Sequence, residues 1–420
     1  MKDVVWLLAM LALPLFGAAI FRLRLVRELD APARWSLAFA SGAVILASIM
    51  FLMSVCGIHW TRTTILVALA IVLAAFRPSL RTEAPPVPWR PVALTLLAIV
   101  GALTLYGILD ARETCGDLIY FWGPKGQQFY MAEKIDTDFL AWPHYSLMHP
   151  DYPPLIPEVY AWGSTVAHGF SWWGALLLTP IYLLATTYAF RGLVRKRLGD
   201  ERAAAYAVLL AAVLAFGFAR GMVAGAGEPP LILFEIIALT ALTFHGDSRD
   251  GLTLAAIALT GAVATKVEGA AFVAIAIFAF ALTRRRIASV IAAALPAALF
   301  LGGWILFARH FKLIDQYGRA GGKLNLAGLC PVLHFTTIQA SYGVWWAPWF
   351  AVLGPLATTR RWRQAALPLL VSGGLVASTI YFYLHGEDLS GWLLWIRTSA
   401  ERVLLAPLAC LLVASAASSE

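Results

Sequence analysis

Apolar residues run along this chain in long blocks, and charge is confined to the gaps between them. Residues 92–109, 203–219 and 365–381 contain no charged side chain. Each block has roughly the ~20 residues that a helix needs to cross ~30 Å of hydrocarbon. Lipid offers no hydrogen bonds, so such blocks must satisfy their own backbone as helices. The pattern predicts about thirteen spans, near 4–21, 35–55, 61–76, 91–109, 171–190, 203–219, 229–245, 252–265, 269–283, 287–308, 341–358, 365–384 and 403–418. The expected fold class is all-α, a polytopic transmembrane helical bundle. The first block has Arg22, Arg24 and Arg27 behind it, a stop-transfer pattern that reads as a retained helix and not a cleaved signal peptide.

Composition agrees with this pattern. The chain has 420 residues, of which 60% are hydrophobic and 13% charged, about half the charge of a soluble domain. The "APPVP" at 84–88 reads as a linker. It divides an amino-terminal three-helix membrane portion (1–90) from a larger module (91–420) that carries a long loop at 110–170.

Charge then gives orientation. Lys and Arg number 32 against 24 acids. That excess suggests nucleic acid less than the positive-inside rule of membrane proteins. Loops 22–34, 77–90, 191–202, 246–251, 284–286 and 359–364 hold nineteen Lys and Arg against seven acids, so they are read as cytoplasmic. The opposite face is acidic. It receives Asp117, His144, His149, Asp151, Glu228, Lys266, Glu268, Glu387, Asp388, Arg397, Glu401 and Arg402. Ionisable groups at membrane depth are expensive and mark functional sites by default. Their gathering on one face from separate loops indicates a site.

Each candidate has a structural and a functional reading. The aromatic residues of loop 110–170 fit interfacial helices, and such rings also stack on sugars. Asp117 is either an N-cap for the run starting at Leu118 or a shielded carboxylate able to act as general base. "HPDYPPLIPE" (149–158) has four prolines, which remove donors and fix φ. It is expected to be a stiff connector into a helix from about Leu155, holding His149 and Asp151 in place. As a metal site, His144, His149 and Asp151 lack a further ligand in register. "GAGEPPL" (225–231) sets Glu228 in a tight turn before a span. "ATKVEGA" (264–270) offers Lys266 and Glu268, as a local ion pair or with Lys266 on a phosphate. "GWLLWIRTSAERVLLAP" (391–407) puts Arg397 and Arg402 at the membrane boundary, suited to phosphate or to snorkelling toward headgroups. Glu235, inside a span, is the lone hint of an ion path. No P-loop, no dinucleotide fingerprint and no zinc-protease motif is present. Four cysteines make neither a disulfide framework nor a metal motif, although an oxidising outer compartment would permit a Cys115–Cys330 bridge.

Taken together, "GDLIYFWGPKG", "HPDYPPLIP", "AGEPPL", "TKVEG" and "RTSAERVLLAP" resemble the GT-C superfamily of membrane glycosyltransferases. Relatives there include protein O-mannosyltransferases and the bacterial transferases that move aminoarabinose onto lipid A. The resemblance covers roughly 91–418. It implies transfer of a sugar from a polyprenyl-phosphate carrier to a hydroxyl of a lipid, glycan or protein acceptor, at the periplasmic face of a bacterial inner membrane and with inversion. It implies Asp117 as the first-loop acid, Glu228 as the second, and Lys266, Arg397 and Arg402 on the donor phosphate. Lys125, His149, Asp151, Tyr152 and Glu268 would line the sugar or acceptor pocket. No organic cofactor is implied, and a divalent metal is left open. Two features depart from the pattern: Asp117 stands alone where the O-mannosyltransferases have Asp-Glu, and three spans precede the matching region. The competing readings are a secondary transporter or flippase, and an O-antigen polymerase or ligase.

Overall fold

The computed structural model describes the chain except residues 77–90, 111–114, 219–223, 285, 314–323, 342–348, 350–351, 354–355, 357–360, 386–388 and 420. Among the described residues every regular element is helical. Ten helical segments among the described residues are long and apolar enough to cross a membrane. The first, Lys2–Arg22, combines α1 (Lys2–Leu11), α2 (Leu13–Gly17) and a 3₁₀ turn. After the single turn α3 (Arg24–Arg27) come α4 (Ala31–Val55), the shorter α5 (Arg62–Phe76) and α6 (Pro91–Asp110). The long loop folds into α7 (Gly123–Ala132), α8 (Thr137–Ala141) and α9 (Leu155–Ala167). The bundle continues with α10 (Trp172–Leu198), α11 (Asp200–Phe218), α12 (Glu228–His245), α13 (Arg249–Thr265), α14 (Val267–Arg284) and α15 (Ile287–His310). It ends with α16 (Leu329–Ser341), α17 (Trp362–Tyr383), α18 (Leu389–Val403) and α19 (Leu405–Ser418). The expected spans at 61–76 and 252–265 correspond to α5 and α13, of 15 and 17 residues. The linker at 84–88 and most of the span at 341–358 fall outside the described residues.

Loops expected on one side do meet at one end of the bundle. Asp30 caps α4 by accepting from the Ala33 amide (3.2 Å) and also pairs with the buried Arg191 of α10. One carboxylate thus closes a helix end and neutralises a guanidinium that lipid would otherwise exclude. Lys196 pairs with Glu28, and the Leu25 amide donates to Asp250 (3.0 Å). Arg284 reaches Asp247 at 3.0 Å. Four of the six basic loops are therefore stitched together.

Several aromatic rings of the long loop are packed inside the protein. Tyr120 and Trp142 are exposed, but Trp122, Phe129, Tyr160 and Trp162 are at most 4% exposed. Their partners come from the amino-terminal helices. Trp6 packs on Tyr160 (5.8 Å between centroids), Phe16 on Trp162 (5.4 Å) and Trp60 on Phe129 (6.1 Å). Large rings dominate packing energetics. The first two spans and Trp60 thus form a wall that holds the loop helices, and they share one apolar core with α10–α15.

Candidate active site

The opposite end of the bundle gathers five ionisable residues from four segments. Asp117 follows Cys115 and Gly116. Glu228 opens α12 with Pro229 and Pro230 in its first turn, where the missing amides go unmissed. Lys266 occupies the extended break between α13 and α14 (φ −151°, ψ 163°), with Glu268 in the first turn of α14. Arg402 comes from the last turn of α18.

Their contacts form a chain of charge. Arg402 Nη1 lies 2.6 Å from Asp117 Oδ2 and 3.6 Å from Glu228 Oε1. Lys266 Nζ donates to Glu228 Oε1 at 3.0 Å and lies 3.3 Å from Glu268 Oε1. The Lys266 and Glu228 side chains are 8% and 6% exposed, whereas Glu268 is 45% exposed. Asp117 makes no capping bond to the helix it precedes; its carboxylate turns to Arg402 instead, which sets aside the N-cap reading. With all five groups ionised, three carboxylates face two cations. The cations are held in place and do not form an open anion trap.

Burial pulls the Lys266 ammonium down, but Glu228 and Glu268 more than offset it and hold Lys266 above the usual lysine range. A cation whose folded value is raised contributes stability that is complete below its unfolded value and is lost as pH rises through the folded one. The contribution of Lys266 to thermal stability is therefore expected to be full and constant up to about pH 10 and to be lost progressively above its ordinary value of 10.5. Melting curves of wild type and Lys266→Met across pH 8–12 check this: the alkaline limb should shrink in the variant.

The turn carrying Glu228 is clamped from three sides. Tyr160 Oη donates to the Gly225 carbonyl (2.9 Å), and the Gly225 amide donates to Thr179 Oγ1 (3.1 Å). The Cys115 thiol lies on the Ala224 carbonyl. Burial pushes the Tyr160 phenol well up and the Cys115 thiol to about 12, so both stay protonated donors. Gly225 takes φ +70°, a left-handed conformation that glycine adopts freely. At Gly227 a Cβ would lie 2.5 Å from Lys266 Cδ, so glycine lets the lysine cross the turn. The Cys115–Cys330 bridge that an oxidising compartment would permit is not formed: Cys115 is buried on Ala224 while Cys330 is exposed. Alkylation of folded protein followed by mass spectrometry should modify Cys56 and Cys330 and spare Cys115 and Cys410 until denaturation.

A second cluster adjoins the first through Trp122. Lys125, 3% exposed, sits 5.4 Å from the Trp122 ring centroid and 5.9 Å from that of Tyr152, and donates to the His149 carbonyl. His149 stacks on Tyr152 (4.3 Å) and holds a left-handed backbone (φ 49°). The Asp151 carbonyl accepts from Trp304 of α15 (2.7 Å). The proline-rich stretch is thus a fixed connector into α9, as expected, and α9 delivers Tyr160 to the Glu228 turn. Arg397 is exposed on α18 and forms no ion pair with the cluster among the described residues. Glu387 and Asp388 lie outside the described residues. Among the described residues, no three His, Cys, Asp or Glu side chains group as a metal site.

Three buried polar atoms around this centre have no hydrogen-bond partner among the described residues: Arg402 Nε, Glu228 Oε2 and Trp122 Nε1. Native proteins pair nearly all such atoms, so orphans call for an explanation. Two donors and one acceptor match a ligand that carries both anionic oxygens and a hydroxyl. Sequence reading had pointed to Arg402 and Glu228. It did not single out Trp122, Tyr160 or Thr179, which a tally of loop aromatics does not distinguish from their neighbours.

The crystal structure of ArnT from Cupriavidus metallidurans, bound to undecaprenyl phosphate, matches this architecture with a TM-score of 0.50 over 77% of the chain. The fold is like that of ArnT. Sequence identity in that match is 16%, and the chain spans 59% of the ArnT chain. No protein-family model and no curated protein matches the sequence.

Proposed function

We propose that this protein is a membrane glycosyltransferase that takes a sugar from a polyprenyl-phosphate carrier and passes it to an acceptor hydroxyl at the periplasmic face of a bacterial inner membrane. The observation that carries this reading is the convergence of Asp117, Glu228, Lys266, Glu268 and Arg402 at the end opposite the basic loops, with two cations oriented by carboxylates. It is supported by the likeness to ArnT, whose structure holds undecaprenyl phosphate.

In this reading the donor phosphate docks on the Nε edge of Arg402, left open because Nη1 serves Asp117 and Glu228. Arginine presents several donors in a fixed fork, so one edge can hold a carboxylate while another takes phosphate. Lys266 adds a point charge. The acceptor oxygen attacks the anomeric carbon as the carbon–oxygen bond to phosphate breaks. The bonding pair leaves with the polyprenyl phosphate, whose growing charge Arg402 and Lys266 stabilise. The acceptor proton passes to Asp117. A single displacement of this kind inverts the anomeric centre; retained configuration in the product, read by NMR, would contradict it. The acceptor is a lipid, glycan or protein hydroxyl, and Lys125, His149, Asp151 and Tyr152 line the sugar side.

The test is transfer from a panel of radiolabelled undecaprenyl-phosphate sugars, with and without membrane lipid extract, by wild type and Asp117→Asn. Turnover should fall by roughly 10²–10⁴-fold, the usual range for a general base, with donor binding retained. Full activity in the variant would move the proton acceptor to Glu228 or Asp151. Failure of wild type to bind any donor would favour the transporter reading, in which Glu235, buried within α12, becomes the residue to examine.

A further inference from the structure

Trp122 closes the π-helical segment Leu118–Trp122 that starts directly after Asp117, and such segments recur at functional sites. The residue is 2% exposed, and its indole N–H has no partner among the described residues. Tryptophan N–H groups normally find an acceptor when buried. The ring's position is informative. Its Cζ2, on the same edge as the N–H, would lie 3.2 Å from a Cβ at Gly227, where Lys266 Cδ also approaches. That edge therefore faces the charged cluster. Its other neighbours are Lys125 and Tyr152, whose ring centroid is 6.0 Å away. Trp122 thus stands beside both the charged cluster and the aromatic cluster.

We propose that Trp122 belongs to the donor site: its indole N–H donates to an oxygen of the bound glycosyl phosphate, at the junction of phosphate and sugar. This rests on the glycosyltransferase reading and adds a specific contact to it. A buried donor left unsatisfied destabilises the ligand-free protein, so removing it without changing shape relieves that penalty. Removing it also deletes a ligand contact. A purely structural tryptophan shows the opposite pattern, losing stability and affinity together.

Two variants separate these cases: Trp122→Phe, and an isosteric replacement by benzothienylalanine, with sulfur in place of N–H. Thermal stability without ligand is measured for both, followed by affinity for undecaprenyl phosphate and for undecaprenyl-phosphate pentoses and hexoses. The isostere is expected to melt at or above the wild-type temperature and to bind glycosyl phosphate roughly tenfold more weakly. Weakening toward undecaprenyl phosphate as well assigns the bond to a phosphate oxygen. Weakening confined to the glycosylated lipids assigns it to the sugar. Unchanged affinity for both in the isostere, or stability and affinity lost together in both variants, would overturn the proposal. Wild type that binds none of these lipids would overturn the donor reading itself, and Trp122's role with it.

Discussion

Lys266→Met is expected to lower the folding stability of the solubilised protein by about 3–5 kcal/mol, the usual consequence of removing one partner from a buried ion pair. The magnitude follows from burial: both the Lys266 and Glu228 side chains are nearly inaccessible, and they meet at 3.0 Å. Without the ammonium, the ion pair left to Glu228 among the described residues is Arg402 at 3.6 Å, and Oε2 is already unpartnered there. The neighbouring Glu268 is different. It is 45% exposed, so Glu268→Gln should change stability by less than about 1 kcal/mol. A double-mutant cycle with Glu228→Gln checks the pairing, because the loss in the double variant should be well below the sum of the single losses. Additive losses would mean that the two groups do not stabilise each other.

Arg402→Lys should be nearly as damaging to transfer as Arg402→Met, each lowering turnover by roughly 10²–10³-fold, the scale for removing one group that stabilises developing charge. The reason is geometric. Arg402 bonds Asp117 through Nη1 and carries a separate Nε that is buried and without a hydrogen-bond partner among the described residues. A lysine has one point of charge and cannot hold a carboxylate and a phosphate on two edges. Undecaprenyl phosphate binding should weaken in the same variants. By contrast Arg397→Met, which removes an exposed side chain outside the ion-pair chain, should leave turnover within a few-fold of wild type. Steady-state transfer with all three variants decides this. Recovery of activity by Arg402→Lys would show that charge alone suffices and that the open edge has no role.

Much of this was legible in the chain itself, for identifiable reasons. Long uncharged blocks announce helices because lipid permits little else. The sorting of loops by charge anticipated that Glu28, Lys196, Asp250 and Arg284 would meet at one end. Acids and bases at span ends, such as Glu228 and Lys266, stood out because they are costly there. What the sequence could not carry was pairing across distance. Asp117 and Arg402 are 285 positions apart, and no local signal joins them. The same holds for Trp122: its neighbours Tyr120 and Phe121 have similar composition, and only the packing of α9 and the Glu228 turn determines which ring is buried. Nor does any local signal in the amino-terminal spans show that Trp6 and Phe16 hold the helix that delivers Tyr160.

In the proposed reaction the charged cluster receives the phosphate of a polyprenyl lipid. The most direct measurement is a cryo-EM structure of the protein in lipid nanodiscs saturated with undecaprenyl phosphate. The expected result is phosphate density within hydrogen-bonding distance of Arg402 Nε, with Lys266 nearby and the prenyl tail running between helices into the bilayer. Phosphate density bound at the basic end, against Arg195, Lys196 or Arg284, with the cluster unchanged, would contradict it.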